Sequence, residues 1–300
     1  MIWRTRLFWG LLILGLPLTL NAQGVYYEGG LSLASGTYIF TERTNTVTLL
    51  TGLAFQAGPV TLRGTLPAYA QNTTLVAASS AGLVPTGGSS SQAVADSASS
   101  RRGRGGSLHV TRPDFSIVSA TDESEAPVEV PPSSVTGFGA AVGDPTVGLT
   151  AGITPGSGFS LLFGLGAKVP VNDTASFGTG AWDVGASASL SLSLGLTTMV
   201  GVSAAYWCIG DAPGLELRDA TMLSATVSHL ALSGWGLSAS AFSASPVIEG
   251  FASSVSVSAG VLRMGSRGRS IGLNVSLGLS ETAPDVMVGV TWRFGLVTAR

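Results

Sequence analysis

A period of two runs through most of the chain. From Ala186 to Leu194 a small or apolar residue alternates with serine at every step, and Gly195 follows at once. Comparable sets recur: Val47, Leu49, Leu53, Phe55; Val147, Leu149, Ala151, Ile153; Phe159, Leu161, Phe163, Leu165; and Val286, Val288, Val290, Trp292, Phe294. Alternation of this kind predicts a strand with one apolar face. About twelve such strands are expected, the first near Gly29 to Phe40. A strand with one face in water normally recruits charged residues, yet here the polar face is mostly Ser, Gly, Thr and Ala.

The connections alternate as regularly as the residues. Tight turns fall at Ala57-Gly58-Pro59, Thr154 to Ser157, the Gly195 region, Ser233-Gly234 and Gly265 to Gly268. Longer links fall at about 72–134, 171–181, 208–218, 244–253 and 280–285, with Thr41 to Asn45 a short exception. Short turns on one side and longer loops on the other, with an even strand count, are what a bacterial outer-membrane barrel requires. A soluble β-sandwich has no reason to sort its loops this way. Trp182 and Tyr206 share apolar parity at the long-loop end, and Trp235, Trp292 and Phe294 share it at the short-turn end. Aromatics at both rims form interfacial girdles. The expected fold is therefore all-β: a transmembrane antiparallel up-and-down β-barrel of about twelve strands.

Composition supports this reading. Charged residues are 11% of the chain, against about a quarter in ordinary soluble domains, and the mean hydropathy is +0.43. The only long apolar block is Leu7 to Leu20, preceded by Arg4 and Arg6 and followed by Asn21-Ala22-Gln23. Too short to span as a helix, it reads as a secretory signal at 1–22, cleaved after Ala22. Residues 23–300 would then form the barrel, exported by the general secretory route to the outer membrane of a Gram-negative bacterium. The expected partners are outer-membrane lipids, the barrel-assembly machinery during biogenesis, and a small-molecule solute. A net charge of −2 predicts no nucleic-acid partner. Cys208 is the sole cysteine, so neither an intrachain disulfide nor a cysteine metal cluster is possible.

The stretch 72–134 is rich in Ser, Ala, Gly and Pro, with Arg101-Arg102-Gly103-Arg104 and the acidic run Asp122 to Glu125 inside it. Its composition predicts a flexible loop, outside the membrane or folded back into the lumen.

Several motifs resemble a family of bacterial outer-membrane barrels often labelled as putative transporters, or as transporters of the meta-pathway of phenol degradation. Gly143-Asp144-Pro145-Thr146-Val147-Gly148-Leu149 is similar to its strand opening, and Lys168-Val169-Pro170 to one of its strand ends. Phe177 to Gly185 is similar to a hairpin re-entry, and Val290 to Phe294 to its aromatic terminal strand. The chain departs from that pattern by running six residues past Phe294. The resemblance implies an outer-membrane channel for small solutes, hydrophobic or aromatic ones among them. A barrel that displays the 72–134 loop for interaction, without transport, is the alternative.

No catalytic, cofactor-binding or metal-binding residue emerges, and an enzyme is not expected. The two histidines, His109 and His229, fall in the long loop and on the outward face near a short turn. If the apolar face points outward, the charged residues of inward parity are Arg63, Asp144, Lys168, Asp183, Arg218, Asp285 and Arg293. Lys168 and Asp183 would pair across adjacent strands near the outer mouth. These charges could form a selectivity constriction, or could simply compensate one another. Arg263, outward and close to a turn, is expected to reach for headgroups.

Overall fold

The computed structural model describes residues 24–88, 91–104, 128, 138–156, 158–171, 177–266 and 268–298. The expected signal at 1–22, His109 and the acidic run at 122–125 lie outside the described residues.

Twelve long antiparallel strands close into a barrel. They are β1 (Gly24–Gly36), β2 (Thr44–Ala57), β3 (Val60–Gln71), β7 (Thr146–Gly156), β8 (Phe159–Lys168), β9 (Asp183–Leu194), β10 (Thr198–Cys208), β11 (Ala220–Leu230), β12 (Trp235–Ala244), β13 (Ser254–Met264), β14 (Ser270–Gly278) and β15 (Val286–Thr298). Each pairs with its sequence neighbours, and β1 pairs with β15, from Gly24↔Thr298 to Ser35↔Val286, to remove the last edge. Closure is what allows strands to cross lipid, because every backbone N–H and C=O then finds a partner.

Burial is inverted relative to a soluble protein. The alternating Leu and Val residues of the strands are exposed on the outer wall, Leu165 by 63% and Leu237 by 60%. An apolar stripe on every strand, all facing out, forms a continuous belt suited to hydrocarbon. Trp182 and Tyr206 stand exposed at the long-loop end, and Trp235 and Phe294 at the short-turn end. Trp292 lies over its cross-strand partner Gly29, where a Cβ would come within 2.5 Å of the indole nitrogen. Arg263 packs its guanidinium 5.2 Å from the Trp235 ring at the short-turn rim.

The apolar core lies in the loops of one end. Residues 72–88 carry a small hairpin, β4 (Ala77–Ser79) with β5 (Gly82–Val84), and the helix α1 (Ser91–Arg104) follows. The short β6 (Gly139–Val142) then pairs with the last residues of β3. Leu75, Val76, Val84, Val94 and Ala98 from this excursion pack with Ile39 and Phe40 from the β1–β2 loop, Ile209 and Leu215 from β10–β11, and Ile248 and Phe251 from β12–β13. The described parts of 72–134 thus take regular structure and contribute to a shared apolar core. Single apolar residues set among Ser and Gly find their partners on three other loops, a relation that local composition does not express. Together these segments form a cap over the long-loop end.

Candidate functional site

The β3–β7 seam sets up the first part of the site. β7 pairs with β3 only over Val60 to Thr65, because Pro67 lacks an N–H to continue the ladder. The carbonyl of Pro67 instead accepts the Gly143 amide at 2.8 Å. A Cβ on Gly143 would run into the Tyr69 ring and into Pro67 Cγ at 3.0 Å, so glycine is required there. The bend Gly143-Asp144-Pro145 between β6 and β7 leaves Asp144 buried at the inner rim.

Register brings two more charges beside it. Thr146, Lys168 and Asp183 are directly opposed on β7, β8 and β9. Lys168 Nζ lies 3.2 Å from Asp183 Oδ2 and 3.7 Å from Asp144 Oδ2, and it donates to Thr179 Oγ1 at 2.7 Å. The side chains of Lys168, Asp144 and Asp183 are 5%, 3% and 0% exposed. Asp183 also accepts the Ser80 amide at 2.9 Å and the Gly210 amide at 3.0 Å, and Asp144 accepts the Val171 amide at 3.1 Å. One buried ammonium with two carboxylates therefore fastens the 72–88 excursion, the β8–β9 loop and the β10–β11 loop to the barrel rim. Backbone bonds add to it, with the Ala78 amide donating to the Phe177 carbonyl at 2.7 Å.

Below this latch lies the lumen, with a cavity of about 870 Å³. Its roof includes Ala78, Ser79 and Ser80 of the cap, and its walls are largely Gly, Ser and Thr from β1–β3, β7–β9, β14 and β15. In the short-turn half, Glu28 sits between two arginines: Arg63 Nε at 2.7 Å and Arg293 Nε at 3.3 Å. The Arg293 guanidinium also stacks 3.9 Å from the Tyr26 ring. Both arginines remain partly exposed to the lumen, Arg63 by about half.

Of the seven charged residues singled out by parity, Arg63, Asp144, Lys168 and Arg293 line the cavity, and Asp183 is enclosed just behind Lys168. The structure separates Arg218 and Asp285 from them. Arg218 pairs with Glu249 at 3.7 Å, and Asp285 with Arg43 at 2.8 Å, both among the exposed loops. Each lies just before its strand begins, where the alternation of parity no longer dictates direction. Glu28 and Trp207 are the residues that sequence reasoning missed. Glu28 falls one residue before the expected start of the first strand, which in fact begins at Gly24. Trp207 follows outward Tyr206, so its inward parity was available. Tyr38, in the β1–β2 loop, has its phenol buried with no hydrogen-bond partner, and burial, followed by the nearby Asp285, raises its pKa above the ordinary value.

His229 stands on the outer face with Nδ1 3.0 Å from Thr198 Oγ1. Among the described residues, no group of three or more His, Cys, Asp or Glu could hold a metal ion.

No family model and no curated protein sequence matches the chain. Among solved structures, a crystallised outer membrane channel from Pseudomonas putida F1 aligns over 92% of this chain and 97% of its own, with a TM-score of 0.60 and 10% identity. The fold is that of an outer-membrane β-barrel. The KdgM porin aligns with this barrel over 91% of the chain and 99% of its own, with a TM-score of 0.45 and 5% identity. The CymD monoaromatic hydrocarbon channel does so over 91% and 89%, with a TM-score of 0.45 and 10% identity. At such identities the likeness concerns architecture alone.

Proposed function

We propose that this barrel is an outer-membrane channel that passes small solutes through its lumen, with the loop cap as the gate at the long-loop end. The observation that carries this reading is the cavity of about 870 Å³, about half of whose lining residues are Gly, Ser and Thr, roofed by a folded loop rather than filled by side chains. A barrel built only as a scaffold would fill its interior with side chains, as small barrels do. The Pseudomonas putida neighbour of the same fold is a channel, and the motifs around Asp144, Lys168 and Asp183 resemble a transporter family. Export by the secretory route and insertion by the barrel-assembly machinery belong to the same reading, with the short-turn end in the periplasm.

Planar-bilayer recordings of the purified protein, with and without residues 72–134, test it. The full chain is expected to show mostly closed, low-conductance behaviour, and the deletion a larger steady conductance. Absence of conductance in both forms refutes the channel.

A further inference from the structure

The cavity wall presents an aromatic face and a cationic group at a fixed separation. Arg63, Gly148, Gly166, Gly185 and Trp207 are directly opposed residues on β3, β7, β8, β9 and β10, and all five line the cavity. The Trp207 indole lies back along the wall toward β8, so that a Cβ on Gly166 would meet its Cη2 at 2.7 Å. Arg63 stands two strands further on, roughly 10 Å away at the usual strand spacing. Between them a Cβ on Gly148 would meet nothing closer than the Leu165 carbonyl oxygen at 3.6 Å. The interval from indole to guanidinium is therefore bare wall, facing open cavity.

Among the charges that are exposed to the lumen, positive ones predominate. Arg63 and Arg293 share the single carboxylate of Glu28, which leaves the cluster with one surplus positive charge. Lys168, Asp144 and Asp183 form a separate cluster of net charge −1 with almost no exposure, which offers a ligand no free cation. Arginine presents a planar fork of donors that matches a carboxylate, and the benzenoid edge of an indole meets a neighbouring ring in edge-to-face or offset contact.

We propose that this wall is a binding subsite for a small aromatic carboxylate. The ring lies over Gly148 against the Trp207 indole, and the carboxylate accepts hydrogen bonds from the Arg63 guanidinium, with Arg293 adding charge nearby. The proposal rests on reading the lumen as a solute path, and it adds the chemistry of the solute. An uncharged arene uses only the indole, and a simple anion uses only the guanidinium, so both bind more weakly.

Fluorine NMR titration of the full-length protein in detergent, with 4-fluorobenzoate and 4-fluorophenol, tests this. Saturable 4-fluorobenzoate binding is expected, at least about tenfold tighter than 4-fluorophenol, since a charge-assisted pair is lost in the phenol. Acetate at equal concentration should not displace it. Gly148→Leu, which fills the bare interval, should abolish binding. Arg63→Gln should weaken 4-fluorobenzoate about tenfold or more while leaving 4-fluorophenol unchanged, and it serves as the second variant should Gly148→Leu fail to give heat-modifiable migration on gels. Equal affinity for the two probes, or an Arg63→Gln protein that binds 4-fluorobenzoate as before, overturns the subsite. A barrel that conducts but does not prefer the benzoate loses the subsite and keeps the channel reading. One that binds the benzoate and passes no current keeps the subsite and loses the channel.

Discussion

Removing the Lys168 ammonium should open the cap. Lys168→Met keeps the length of the side chain but leaves Asp144 and Asp183 as two carboxylates with almost no solvent exposure and no cation between them. Breaking a buried pair by deleting one partner typically costs about 3–5 kcal/mol, because the remaining charge is neither hydrated nor compensated. Here two carboxylates are stranded, so the upper part of that range applies. The strain is relieved if the 72–88 excursion and the adjoining loops lift and admit water, since Asp183 holds Ser80 and Gly210, Lys168 holds Thr179, and Asp144 holds Val171. At about 1.4 kcal/mol per decade, the ratio of capped to open forms should fall by roughly 10³-fold or slightly more. Single-channel recording in planar bilayers measures this as the fraction of time spent in the high-conductance state. Neutralising the carboxylates as well, with Asp144→Asn and Asp183→Asn added to Lys168→Met, should restore most of the closed dwell time. Raising salt should leave the wild type closed, because a buried pair is little screened. Closed dwell times unchanged in Lys168→Met, or a triple variant as open as the single one, would refute the latch.

Three further outcomes follow from the wall itself. Ala188 and Ser189 are consecutive on β9 and face opposite sides, so Ala188→Arg should destabilise the folded barrel by about 2–4 kcal/mol in reversible urea unfolding from vesicles, and Ser189→Arg by far less; similar costs at both positions would contradict the inside–outside assignment. Gly166→Ala places a Cβ 2.7 Å from the Trp207 ring and should cost about 1–3 kcal/mol, most of it regained in a Trp207→Ala background in the same assay. Tyr38→Phe removes a buried hydroxyl with no partner and should leave the cap's amide hydrogen-exchange protection equal or higher, since no hydrogen bond is lost and a desolvation penalty is relieved.

The barrel was legible because its physics is local and repetitive. In Ala186 to Leu194 the direction of each side chain follows from its neighbour, and lipid on one face accounts for the absence of charge among the apolar set. The same parity sends Arg63, Lys168, Asp183 and Arg293 inward, and register alone brings Lys168 opposite Asp183. Parity loses its force where the strand ends, which is why Arg218 and Asp285 belong to loop ion pairs instead. It also fails where the strand start is misjudged by a few residues: Glu28, the carboxylate that holds Arg63 and Arg293 together, lay just outside the expected first strand.

The cap was illegible for a different reason. Val76, Val84 and Val94 are isolated apolar residues in a stretch whose average composition resembles a linker. What orders them is the coincidence of Ile209, Leu215, Ile248 and Phe251 above the same barrel end, brought there by strands that are far apart in sequence. That coincidence exists only in the closed barrel, so a cap of this kind is a consequence of the fold rather than a local property of the loop. The small residues of the inner wall and the apolar residues of the cap are then complementary. An interior left unfilled by side chains leaves a cavity, and the roof above it is held both by apolar packing between loops and by one buried ammonium with two carboxylates, contacts that lie outside the strand ladders beneath.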